Sequence, residues 1–364
     1  MDAGIHCHGT RRLTGAVSHE VHVCKVFESL GAKARPLPGS GRDTPGVEEA
    51  EDAEPGTWSK GWQRQAARSV EDAAVALLHQ HLPPALCARL RSQGGPGAGM
   101  WLLAIPTDDA LTFEPHLFQL AGRLRLLLPL PAGPRHCSCG VELDEWGIHL
   151  LACVQSGRVT RRAKLHEQAV LQILREAGAS ARHRPYIRDL AIPGLAASDA
   201  RKLDVVATGL PLYGGRTTVV DATLRSPLTG AGMWRYNADQ EDGATFAQAV
   251  RDKHHKYPEL LAQGLRIQFV VAATEVGGRC NDQLIDLVRQ LARHKASTYP
   301  RILRKSMHTI LARRYWSILS VATQRAVAQC VAIEFDDTAN AVFPLPDLEA
   351  LMSCCEAPDV SRLC

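Results

Sequence analysis

Cys137 and Cys139 are separated by one residue, His149 follows after nine more, and Cys153 after a further three. Three thiols and one imidazole at that spacing are a ligand set for one tetrahedral Zn²⁺. Such a closed site is structural, because no coordination position remains for a substrate. Gly140 and Gly147 supply the turns that four converging ligands need. The alternative, free core thiols with a capping histidine, stays open because Cys-x-Cys is tighter than the usual Cys-x-x-Cys.

The eleven cysteines are an odd number with no disulfide-framework spacing, so reduced thiols are expected. A second group (His6, Cys7, His8, His19, His22 and Cys24) matches no known ligand spacing. The longest apolar stretches, Leu126 to Leu130 and Phe269 to Ala273, are too short to cross a bilayer. Met1 to His6 shows no import or secretion signal, so the nucleus, or the cytoplasm before import, is the expected location.

Composition shifts divide the chain. Residues 1–60 read as a disordered region ending in an acidic Pro/Gly-rich linker, and 61–134 as a small, mainly helical module that includes a short strand at Trp101 to Pro106. The knuckle occupies 135–160. From 161 to 296 helical and strand periodicities alternate: a helix at Arg162 to Ala177 and strands at Lys202 to Ala207 and Thr217 to Leu224. A helix at Gly243 to Tyr257, a strand at Leu265 to Thr274 and a helix at Asn281 to Lys295 follow. A further strand is expected near Arg184 to Leu190. This order describes a compact α/β domain with a mixed sheet. A basic helical tail at 297–335 and a flexible C-terminus at 336–364 complete the chain.

Within the α/β domain, Asp204 opens one strand and Asp221 interrupts an otherwise apolar one. If the two strands form a hairpin centred between Leu212 and Tyr213, inside the Gly209 to Gly215 turn, these carboxylates face each other. Like charges so placed repel unless a cation or proton lies between them. Mg²⁺ or Mn²⁺ meets that demand with oxygen ligands; exposed strand-end acids are the plain alternative. On the next helix Lys253 and Tyr257 are i and i+4, hence on one face. A lysine there could stabilise charge on a phosphate under attack by metal-activated water.

The knuckle, a helix bearing His166-Glu167, the Lys202-x-Asp204 strand, the Asp221 strand and Lys253-x-x-x-Tyr257 together resemble the C-terminal region of site-specific non-LTR retrotransposon polyproteins. That family carries a restriction-like endonuclease of the PD-(D/E)xK type. The resemblance covers about residues 101–296 and implies zinc ligands at Cys137, Cys139, His149 and Cys153. It also implies catalytic metal ligands at Asp204 and Asp221 and a catalytic Lys253 moved from strand to helix, with Tyr257 beside it. Glu167 is a candidate third acid, although an exposed helix glutamate is the preferred reading. Two departures stand out: Leu203 replaces the proline expected before the first aspartate, and Thr223 occupies the motif-lysine position two residues after Asp221. No polymerase motif of the Tyr-x-Asp-Asp type occurs.

The net charge is only +4, from 42 basic and 38 acidic residues, yet the stretch from Leu287 to Ile333 holds nine cations and no acid. That block suits phosphate-backbone contacts, with Tyr299, Tyr315 and Trp316 as core anchors rather than stacking platforms. The expectation is a restriction-endonuclease-like mixed α/β core, preceded by a zinc knuckle and a small helical module and followed by basic helices. Its function would be Mg²⁺- or Mn²⁺-dependent nicking of DNA in a retrotransposon-derived protein, with the element RNA as a further partner. The alternative is an inactive zinc-knuckle fragment that binds nucleic acid without cutting it.

Overall fold

The computed structural model describes residues 62–130, 136–154 and 157–332. The N-terminal His/Cys group, the acidic linker and the C-terminal 336–364 lie outside them. The chain divides into two units, 1–82 with 344–364, and 83–343. In the first, helix α1 (Trp62–His81) is the described element. The helical module expected at 61–134 is therefore split, since its later helices belong to the second unit. Among the described residues no helix is long and apolar enough to cross a membrane.

The second unit opens with α2 (Pro84–Ser92) and a 3-10 turn at Met100–Leu103, followed by α3 (Pro115–Arg125). The expected strand at Trp101 to Pro106 is thus a helical turn. Trp101 is buried there and stacks edge-on with Phe118, an aromatic contact that the period of the apolar run does not reveal. After the short knuckle helix α4 (Ile148–Ala152) comes α5 (Arg158–Ala177), which ends where Gly178 adopts φ 106°.

A four-stranded sheet follows in the order β1 (Ser180–His183), β2 (Val205–Thr208), β3 (Thr217–Arg225) and β4 (Ile267–Glu275). The first three strands are antiparallel neighbours, and β4 runs parallel to β3. The strand expected near Arg184 to Leu190 lies earlier: β1 ends at His183, and Ile187–Leu190 is a 3-10 turn. Arg184 at φ 53° breaks the strand between them. Hairpin register is as the sequence centre requires, Val205 opposite Val220 and Ala207 opposite Thr218. The crossover from β3 to β4 carries α6 (Phe246–Lys256) and α7 (Pro258–Ala262); α8 (Asp282–Ser297), capped by the Asn281 side chain on the Leu284 amide, and α9 (Arg304–Ala332) complete the unit.

Strand alternation sorts the core into two layers. Val205, Ala207, Val220, Ala222, Val270 and Ala272 face α5, α8 and α9. Val206, Val219, Phe269, Val271 and Ala273 face α6 and α7. The expectation of a basic tail at 297–335 needs correction, because α9 is a core helix over most of its length. Leu311, Tyr315, Ile318 and Leu319 pack with α5 and α8, and Val327 and Val331 pack with α3 and the knuckle cysteines. Two of its cations are committed to intramolecular pairs: Arg314 grips both oxygens of Glu176, and Arg325 pairs with Glu114. Tyr315 is fully buried, as a core anchor must be.

Candidate active site and metal centre

The knuckle is assembled by backbone turns. The Cys137 amide donates to Val141 O at 2.8 Å and the Gly140 amide to Cys137 O at 2.8 Å, with Gly140 at φ 87°. Asp144 then accepts from the amides of Trp146, Ile148 and His149 at 2.8–2.9 Å, which orients α4 and with it His149. Gly147, at φ 68°, sits so close to Leu130 that a Cβ would come within 2.8 Å of its Cδ1. Leu130 could yield to a methyl group there, but the left-handed backbone of Gly147 favours glycine at the turn into α4.

The result is four donor atoms, from Cys137, Cys139, His149 and Cys153, all within 4.8 Å of one another. The Sγ atoms of Cys137 and Cys153 are 3.9 Å apart. A tetrahedron with Zn–S bonds of about 2.3 Å has S···S edges of about 3.8 Å. His149 Nε2 lies 3.2 Å from Cys139 Sγ, while Nδ1 lies 3.0 Å from Gly230 O. A carbonyl can only accept, so Nδ1 carries the ring proton and Nε2 presents its lone pair to the thiols. This cluster can hold a zinc ion, and its donor set is closed.

The second site lies at the hairpin. Asp221 sits in the middle of β3 on the α6 side of the sheet and is 1% exposed. The Lys253 ammonium, from α6, is in ion contact with its Oδ1. Beyond that ion pair, neither carboxylate oxygen has a hydrogen-bond partner among the described residues. The ammonium compensates this buried charge, and the lone pairs it does not engage have no donor among those residues.

Asp204 immediately precedes β2 and continues its register toward Asp221. Its Oδ2 accepts the Ala222 amide at 2.7 Å, and its backbone carbonyl accepts the Arg184 amide at 2.9 Å. Burial first, then the neighbouring charges of Asp221 and Glu167, push its carboxyl up to about 7, against the opposing pull of Lys253. Three acids therefore share one electrostatic neighbourhood.

Glu167 requires a correction. The preferred expectation of an exposed helix residue does not hold: it is 4% exposed. From α5 it meets His183 Nε2 at 3.3 Å and Arg184 Nε at 3.7 Å, both at the end of β1. Helical periodicity could not reveal this, because a glutamate at the edge of an amphipathic face is buried or exposed according to what packs beyond it. His183 and Arg184 were not singled out in the sequence either, and only the end of β1 brings them to the acids.

Tyr257 lies one residue past the end of α6, its amide still bonded to Lys253 O at 3.0 Å. Its ring is fully buried against Phe269, and its hydroxyl donates to Lys202 O at 2.9 Å. Burial, with Asp221 nearby, raises its pKa. It braces α6 against the segment leading to Asp204 and makes no hydrogen bond to the acids. Leu203 is buried and donates its amide to Pro185 O at 3.0 Å. A proline has no such proton, so here a hydrogen bond stiffens the segment that a ring would otherwise stiffen.

The basic block is distributed differently. Arg289 and Arg293 are exposed on α8, in the layer across the sheet from α6 and Lys253. They do not line the acidic cluster. Set against protein-family models and curated proteins, the sequence matches none.

Proposed function

We propose that this chain is a divalent-metal-dependent DNA endonuclease, retrotransposon-derived, with Asp204 and Asp221 as the cation ligands. The reading rests on one observation: the Asp221 carboxylate is buried in β3, has no hydrogen-bond partner among the described residues beyond its ion pair with Lys253, and shares its surroundings with a second acid. Oxygen donors of this kind suit Mg²⁺ or Mn²⁺. A bound dication would lower the pKa of a water and polarise the phosphoryl oxygen.

The side chains divide the remaining work. Asp204 and Asp221 would hold the cation from adjacent strands, and Glu167, in contact with His183 and Arg184, would add a third negative charge to the same neighbourhood. Lys253 is 19% exposed, so its ammonium can leave the buried oxygen and meet negative charge growing on the phosphate. Tyr257 keeps α6, and hence Lys253, in register with the hairpin. The zinc knuckle plays no chemical part.

The test is nicking of supercoiled plasmid in Mg²⁺ by wild type, Asp221→Asn and Lys253→Gln. Loss of nicking in both variants, with an unchanged near-ultraviolet spectrum, is expected. Equal nicking by all three rejects the assignment. Salt-dependent DNA binding by a wild type that never nicks, in any divalent cation, selects the binding-module alternative.

A further inference from the structure

The acids and Lys253 leave one strongly charged surface unexplained. Along the second half of α8, the turn after it and the first ten residues of α9, the side chains of Arg289, Arg293, Arg301, Arg304, Lys305 and Arg313 are all exposed. None has a carboxylate within ion-pairing distance among the described residues, whereas Arg314 and Arg325, further along α9, are both paired. Asp286, one turn before Arg289, is the nearest acid on the exposed stripe of α8, and Leu287 to Ile333 contains none.

Ordinary helix electrostatics account for only part of this surface. Cations near the C-terminus of α8 complement its dipole, but Arg304 and Lys305 open α9, whose first turn contains no acid. Cations there oppose the positive end of the helix. Arg301 lies in the short turn between the two helices and is exposed. Like charges gathered against the local field mark a surface that is completed by an external polyanion.

We propose that this α8–α9 corner is a second, sequence-independent binding surface for the phosphate backbone of duplex DNA, on the opposite side of the sheet from Asp204, Asp221 and Lys253. α8 and α9 pack on one face of the sheet and α6 on the other, so a duplex lying on the corner leaves the acidic cluster free. The choice of DNA rests on the proposed nuclease reading, while the charge arrangement does not. Binding and cutting are then separable, and one molecule can hold DNA at one face while the other acts.

The experiment compares the full-length chain with the triple variant Arg289→Gln, Arg293→Gln, Arg301→Gln, measuring affinity for a labelled random-sequence duplex over a salt series. The slope of log K against log salt should shrink by about 2.7 in the variant, about 0.9 for each lost phosphate contact. Asp221→Asn should retain the wild-type slope, and thermal unfolding of the exposed triple variant should be unchanged. A triple variant with the wild-type slope overturns the proposal. Ile302 is 89% exposed at the same corner, so phosphatidylserine vesicles are the counter-probe. If wild type prefers vesicles to duplex and the triple variant loses that preference, the surface belongs to lipid and the proposal fails. If nicking is never observed but the slope still falls, the nuclease reading fails and the surface stands.

Discussion

The carboxylate of Asp221 and the ammonium of Lys253 meet beneath the surface, the acid supplied by the middle of β3 and the base by the crossover helix that follows it. This pairing couples stability to the proposed chemistry. Removing Lys253 leaves a buried charge uncompensated, so Lys253→Met should cost about 3–5 kcal/mol in urea unfolding. Mg²⁺ should restore part of that loss, because a dication can replace the ammonium beside Asp221. In Lys253→Met/Asp221→Leu the cost should largely vanish, and so should the response to Mg²⁺. A Lys253→Met protein as stable as wild type without metal would remove the electrostatic basis for the site.

Glu167 is held by Arg184 and His183, which do not themselves reach Asp221. Loosening such supporting contacts typically lowers metal affinity or activity about 10–100-fold. Arg184→Ala should therefore weaken Mn²⁺ binding, followed by electron paramagnetic resonance, within that range. Arg182→Ala, two residues earlier and without a bond to Glu167, is the control. Equal Mn²⁺ affinity in Arg184→Ala and wild type would place Glu167 outside the cation site.

His149 joins the knuckle to the loop after β3 through its Nδ1–H and the Gly230 carbonyl. Metal analysis should find one zinc per chain, lost in Cys139→Ser. Removing zinc by chelation should speed amide exchange in residues 226–237, while β2 and β3 stay protected. Uniform exchange with and without zinc would mean that the knuckle does not anchor this loop.

His166 lies 1% exposed between Thr274 and Thr323, its two nitrogens 3.2 and 3.3 Å from their hydroxyls. Burial pushes its pKa down to about 4, so it is neutral in the folded protein at neutral pH. The unfolded chain binds that proton near pH 6.5, so this contribution is intact above about 6.5 and is lost as pH falls toward about 4. By about pH 5 the loss should reach about 2 kcal/mol relative to His166→Gln. Asp204 acts oppositely: its raised pKa adds stability as pH falls below about 7, equally in both proteins. A pH-independent difference between them would show that His166 is not buried neutral.

Much of the architecture was readable along the chain because its signals are local. The Cys-x-Cys and His-x-x-x-Cys pairs each close through short turns, and the Gly209 to Gly215 turn leaves one register that keeps Val205, Ala207 and Val220 on a common face. The short strand misplaced near Arg184 and the helical turn at Trp101 were harder, because a few apolar residues fit either period. α9 differs from the expectation for a related reason: its five cations, Arg304, Lys305, Arg313, Arg314 and Arg325, suggest a solvated helix, while the apolar residues between them are the core.

By itself, the sequence determined which four side chains form the Cys/His cluster, the hairpin register and the helix that carries Lys253, since each follows from spacing within one or two turns of chain. Only the tertiary structure decided that Glu167 is buried beside His183 and Arg184, that Tyr257 spends its hydroxyl on the Lys202 carbonyl, and that the exposed arginines of α8 lie across the sheet from the acids. Periodicity states which face of an element must be covered. What covers it, and which polar groups become trapped at the edge, depends on how distant segments pack, and side-chain charge is indifferent to chain order.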